Sequence, residues 1–169
     1  KGLRLVFVGR LVYQKGLDRI IPIIKNIKNC HITMIGDGNQ KEFLKNIFNN
    51  EDLNKKVKFI DYSYNANAYI AGADYFLLPS RWEGLPNVAL ESLILGTPVI
   101  TFKEIVGLKD LIPIVEKNKL FLCKDENDME ILISKLQIRK DFLKPVLRKS
   151  LIKQFNTPMT YAKKIEKIM

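Results

Sequence analysis

Metal-ligand residues are scarce in this sequence. Its 169 residues include one histidine, His31, and two cysteines, Cys30 and Cys123, far apart in the chain. Neither their spacing nor any Asp-x-Asp pair offers a metal site, so no metal and no other cofactor is expected. The two thiols read as reduced cysteines of a cytosolic protein. Long apolar runs are missing too. Nothing approaches the roughly 20 residues of a membrane helix, and the opening "KGLRLVFVGRL" has too short an apolar run for a signal peptide and reads better as a strand. The first residue is Lys1 rather than Met, as in a piece of a longer protein. Low-complexity linkers and internal repeats are absent, and one domain over 1–169 is expected.

What the chain has in excess is positive charge. Lys and Arg number 28 against 18 Asp and Glu, a formal net charge of +10 with a pI near 9.6. Such a balance suits nucleotide phosphates, a nucleic acid or an acidic membrane surface. A nucleic-acid binder would cluster its cations with aromatics on one face. Here they are scattered, as in "KNIKN", "NKKVKF" and "YAKKIEKIM", and read mostly as solvated surface.

Apolar runs of strand length alternate with helical patterns. "LRLVFV", "HITMI", "VKFI", "YFLLP", "PVITF" and "KLFLC" read as strands. "LDRIIPIIKNI", "QKEFLKNIF", "ANAYIAGA", "NVALESLIL" and "ENDMEILISKLQ" read as helices, with a helical tail over about 141–169. The fourth helix is expected to stop at Gly96, with Pro98 beyond it. This alternation predicts an α/β, Rossmann-like, doubly wound parallel sheet of about six strands with helices on both faces. Ligands of such sheets sit beyond the carboxyl ends of the strands. The loops to read are therefore 9–16, 36–38, 61–65, 80–86 and 101–110.

The first loop, "GRLVYQKG", lacks the third glycine of a dinucleotide fingerprint. It offers Gly9, where backbone can approach a ligand, and the cations Arg10 and Lys15, which suit a diphosphate. Gly36 and Gly38 in "IGDG" permit a tight turn or a close approach. In "SRWEGLPNVALES", Glu83 and Glu91 are separated by seven residues. Pro86 suits a first helical turn. The amides near Leu85, Asn87 and Val88 would then face outward at the partly positive helix start. A carboxylate repels phosphate but accepts hydrogen bonds from a diol. Cations for phosphates and acids for hydroxyls together fit a nucleotide sugar; the alternative is two acids that only stabilise a helix start. His31 and the Ile/Leu stripe of "ILISKLQI" read as structural, and Trp82 as a sugar-stacking ring or a loop anchor.

The ordered set "GRLVYQKG", "IGDG" and "ADYFLLPSRWEGLPNVALESLILGTPVI" resembles the nucleotide-sugar-binding, C-terminal half of retaining GT-B glycosyltransferases of the group 1 family, over roughly residues 2–112. The chain departs from the family pattern at Asp61, where glycine is frequent, and in "IVGLKD", which keeps only Gly107 and Asp110. The resemblance implies that Arg10 and Lys15 grip the donor diphosphate and stabilise the leaving group. Glu83 would meet the donor sugar and Glu91 the ribose diol. Gly9, Gly84, Leu85, Pro86, Asn87 and Val88 would line the diphosphate and sugar, and Gly36, Gly38, Tyr62 and Ser63 the base. The implied activity is hexosyl transfer with retention to a glycan or lipid-linked acceptor, in capsule or lipopolysaccharide synthesis. The acceptor would be held by an N-terminal domain that this chain lacks, leaving the chain alone inactive. The implied setting is the bacterial cytoplasm, with peripheral contact at an anionic membrane face and no nucleic-acid partner. A GT-B sugar-nucleotide epimerase half, or a non-catalytic nucleotide-sugar-binding subunit, shares the same architecture.

Overall fold

The computed structural model describes residues 2–138, apart from 52, 110–111, 113–114 and 116–117. The expected helices of the 141–169 tail, and Asp110, lie outside the described residues. Six strands form one parallel sheet: β1 (Leu3–Val8), β2 (Cys30–Ile35), β3 (Val57–Ile60), β4 (Tyr75–Leu78), β5 (Val99–Phe102) and β6 (Leu120–Cys123). Their spatial order is β3-β2-β1-β4-β5-β6, with Val6 beside Thr33 on one side and beside Phe76 on the other. At the amino ends of β1 and β4, Arg4 grips the fully buried Asp74 through Nε and Nη2, at 3.1 and 2.9 Å.

The helices are α1 (Ile21–Asn26), α2 (Lys41–Asn50), α3 (Ala66–Gly72), α4 (Asn87–Ile94), α5 (Val106–Lys109) and α6 (Glu126–Lys135). One core layer joins Leu5, Phe7, Ile32 and Met34 of the sheet to Ile24, Leu44, Phe48, Met129 and Ile133 of α1, α2 and α6. The other joins Val6, Ile35, Phe76 and Leu78 to Ile70, Ala89, Leu93, Ile105 and Leu108 on and around α3, α4 and α5. Burial on both faces explains why the strands read as unbroken apolar runs rather than alternating ones. The buried hydroxyls in this sheet are satisfied locally: Thr101 donates to the Leu78 carbonyl at 2.8 Å.

Four expectations change in detail. The first helix does not run from Leu17. Residues Leu17–Ile20 form a 3₁₀ turn, and α1 begins only at Ile21. Pro22 has no amide to bond back to Asp18, so it fits the first turn of α1 but not the interior of a helix that starts at Leu17. Pro86 is the cap residue before α4, with ψ 102°, rather than its first turn. A four-residue helix, α5, stands where a plain loop was expected after β5. Gly96 stops α4 as expected, at φ 80°. His31 does not open β2: the strand starts at Cys30, and His31 is exposed.

Candidate functional site

Chain order reverses between β1 and β4, so the crevice at the carboxyl ends of these two strands is the topological switch point of the sheet. The loop after β1 and the loop after β4 meet there. Gly16 lies at φ 62°, and a Cβ on it would stand 2.2 Å from the Pro79 carbonyl oxygen. Only glycine lets the two loops close to this distance.

Across the junction, the Lys15 ammonium donates to Glu83 Oε1 at 2.5 Å. The pair is 68 residues apart in sequence and well shielded, with side-chain exposures of 14% and 10%. The Ser80 hydroxyl donates to the same oxygen at 2.8 Å. Arg81 fastens the two loops together beside this pair. Its amide donates to the Gln14 carbonyl at 2.8 Å. Its guanidinium holds Asp18 through both branches, at 2.9 and 2.6 Å, and stacks 3.8 Å over the Tyr13 ring. The Arg81 hydrogen bonds hold the Asp18 carboxyl below its usual range. Gln14 Nε2 donates to the Trp82 carbonyl at 3.0 Å, and the Tyr13 and Trp82 rings lie 6.1 Å apart. Lys15 therefore sits on a short 3₁₀ turn (Tyr13–Lys15) clamped from the β4 side.

Next to this junction, a cleft of about 350 Å³ opens at the carboxyl ends of β1, β2 and β3. Gly9, Arg10, Gly36, Asp37, Tyr62 and Ser63 line it. Arg10 is exposed and enters no ion pair among the described residues. Lys41, at the start of α2, pairs with both Asp37 and Asp61 and so ties the loops after β2 and β3 at the cleft rim. The Asp37 carboxyl is lowered first by the Gly38 amide and then by Lys41. Tyr62 and Tyr64 are exposed and meet edge to face, 5.1 Å between centroids.

Gly36 packs against protein. A Cβ on it would come 2.0 Å from the Gly9 carbonyl oxygen. A second cleft, of about 310 Å³, lies by contrast on the sheet face between β1, β2 and α3, lined by Arg4, His31, Thr33 and Tyr69 among others.

A family model described as glycosyl transferases group 1 matches residues 1–154. The chain belongs to this family. Its curated relatives include an uncharacterized glycosyltransferase of Haemophilus influenzae, 30% identical over 135 residues, covering 78% of this chain and 37% of the relative. The amylovoran biosynthesis glycosyltransferase AmsD of Erwinia amylovora is 29% identical over 147 residues, covering 82% of this chain and 41% of its own. The chain thus spans less than half the length of these relatives. Among solved structures, the lipopolysaccharide outer core galactosyltransferase WaaB aligns over all of this chain and 50% of its own, with a TM-score of 0.76 and 17% identity. Anabaena Alr3699/HepE in complex with UDP aligns over 99% of this chain and 48% of its own, with a TM-score of 0.76 and 16% identity. The fold is the Rossmann-like α/β sheet of the GT-B glycosyltransferases.

Within this group 1 chain, most of the residues singled out in the sequence fall into three places. Lys15 and Glu83 meet at the switch point. Gly9, Arg10, Gly36, Tyr62 and Ser63 share the cleft beside it. Asn87, Val88 and Glu91 stand on α4, the last exposed and four residues beyond Asn87, hence on the same helical face. Gly84 and Leu85 precede that helix, and Gly107 packs closely on them: its Cβ would stand 2.3 Å from the Gly84 carbonyl oxygen. Gly38 is not among the cleft-lining residues; a Cβ there would stand 2.3 Å from the Leu11 carbonyl oxygen. The sequence reading missed the Ser80 hydroxyl and the Arg81–Asp18 clamp. Ser80 and Arg81 sit in a loop already marked for reading, but only the topology brings Asp18 to Arg81. Cys30 and Cys123 are buried, away from this site, with burial pushing each thiol up to about 12.

Proposed function

We propose that this chain is the donor-binding, C-terminal half of a retaining glycosyl transferase. It takes a nucleotide diphosphate sugar and, with an acceptor-binding partner half, passes the sugar to a glycan or lipid-linked acceptor in cell-surface polysaccharide synthesis. The observation that carries this reading is the meeting of Lys15 with Glu83 at the switch point, beside the cleft that Arg10 enters. One cation is shielded and anchored and the other is open to solvent. Together they suit a diphosphate, whose charge grows as the sugar leaves. Glu83 suits sugar hydroxyls, and Glu91 on α4 suits a ribose diol. The cleft between the β1, β2 and β3 ends has the size of a small-ligand site, and Tyr62 offers a base an aromatic wall. In this reading the leaving diphosphate, held by Arg10 and Lys15, accepts the acceptor proton.

The relative named for amylovoran synthesis and the fold neighbour named for lipopolysaccharide outer core synthesis support the polysaccharide setting, and the HepE complex makes UDP a sensible first probe. Among the described residues, no helix is long and apolar enough to cross a membrane, and no three His, Cys, Asp or Glu side chains stand together as a metal site. The positive charge is supplied by side chains, so calorimetric titration with UDP should give the same affinity with EDTA as without it. A strict need for Mg²⁺ or Mn²⁺ in that titration would contradict the assignment of Arg10 and Lys15.

A further inference from the structure

We infer that Ser80 is a positioning residue for the donor sugar: its buried hydroxyl fixes Glu83 Oε1 together with Lys15, leaving Oε2 as the acceptor for a sugar hydroxyl. The inference rests on the donor-site reading above and adds a residue to it.

Ser80 follows the carboxyl end of β4 by two residues and is fully buried. Its neighbours on both sides are held by the loop after β1. The Pro79 carbonyl lies against Gly16, and the Arg81 amide donates to the Gln14 carbonyl. The Ser80 backbone is thus fixed at the point where the two loops are tied, and its hydroxyl has a single rotatable bond to the backbone. Glu83 is different. It has three such bonds, and it sits in the turn before α4, so its carboxylate needs outside partners to hold one position.

Both donors found for Glu83 go to one oxygen: Lys15 Nζ at 2.5 Å and Ser80 Oγ at 2.8 Å. A carboxylate offers about four lone-pair sites, so the second oxygen keeps its full accepting capacity. The two donors also behave differently when a diphosphate arrives. The Lys15 ammonium has three protons and is attracted to the phosphates. A neutral hydroxyl buried under the loop is not. Ser80 therefore keeps Glu83 in register while Lys15 engages the diphosphate. Its contribution should appear with nucleotide sugars and not with the free diphosphate.

The test is calorimetry on the 169-residue chain with UDP and a panel of UDP- and GDP-sugars, for wild type, Ser80→Ala, Ser80→Thr, Glu83→Gln and the Ser80→Ala/Glu83→Gln double variant. Ser80→Ala should bind UDP like wild type and lose about tenfold in affinity for the best-bound nucleotide sugar, the worth of one hydrogen bond to a charged group. In the Glu83→Gln background it should cost nothing further, because its effect passes through Glu83. Ser80→Thr, which keeps the hydroxyl, should recover the sugar preference. The inference is overturned if Ser80→Ala lowers melting temperature but leaves the sugar preference intact, or if its loss is as large without Glu83. A wild-type chain that binds no nucleotide would overturn the donor-site reading and this inference with it. A wild type that prefers a nucleotide sugar, beside a Ser80→Ala variant that keeps the preference, overturns this inference alone.

Discussion

Lys15→Ala should weaken UDP binding by about 1–3 kcal/mol, the worth of a hydrogen bond to a charged group, and should also lower the melting temperature. The second effect follows from its place in the structure. Glu83 is shielded, with 10% of its side chain exposed, and Lys15 is its charged partner. Removing the ammonium leaves a mostly buried carboxylate held by Ser80 alone. Breaking one side of a buried pair is costly because the remaining charge stays uncompensated. Arg10→Ala separates the two effects. Arg10 is exposed and lines the cleft. Its loss should weaken UDP by a similar amount while leaving the melting temperature unchanged. Both ΔΔG values come from calorimetry, with melting curves alongside. Unchanged UDP affinity in both variants would remove the phosphate role from this loop.

The two glutamates should divide the ligand between them. Glu91 is exposed on α4, past the helix start, whereas Glu83 lies in the loop before it and is tied to Lys15. If Glu91 holds the ribose diol, Glu91→Gln weakens UDP and narrows its advantage over the 2′-deoxy form. The lost carboxylate is what told the two sugars apart, and a site built to accept from a hydroxyl discriminates by orders of magnitude against the analogue without one. Glu83→Gln should leave UDP binding nearly unchanged and weaken nucleotide sugars by about tenfold or more. Both substitutions keep the side-chain size. Competitive titration with UDP, its 2′-deoxy form and UDP-sugars checks the division. Variants that lose melting temperature but keep every ligand preference would reduce the two acids to a device for starting a helix.

The sheet was legible because its strands are mostly apolar runs, with β4 and β5 buried throughout, and the spacing between runs leaves room for one helix. The first helix was misplaced because the Ile-rich stretch 20–24 is periodic enough for a helix, while Pro22 inside it belongs in a helix's first turn and so disfavours a start as early as Leu17. The four residues of α5 are too few to show a period. In the site, charge type could be read residue by residue. The cations after β1 and the acids around α4 stood out as ligand groups for phosphates and hydroxyls. Their pairing could not be read, since Lys15 and Glu83 are 68 residues apart and meet only because β1 and β4 are neighbours in the sheet. The glycines carried partial information. Gly36 and Gly38 signalled a close approach, which proves to be to the carbonyls of Gly9 and Leu11. A missing Cβ says that something comes near, and the topology says what. Ser80 and Asp18 gave no signal of their own, because a serine and an aspartate in loops have many uses.

The central claim is that a nucleotide sits at the switch point, over the cleft between Gly9, Gly36 and Tyr62. Backbone amide NMR of the isotope-labelled chain during a UDP titration tests it most directly. Shift changes should concentrate at Gly9, Arg10, Lys15, Gly36, Tyr62, Ser63, Gly84, Leu85, Asn87 and Val88. A response centred instead on the sheet-face cleft at Arg4, His31 and Tyr69, or no saturable response at all, would contradict the account.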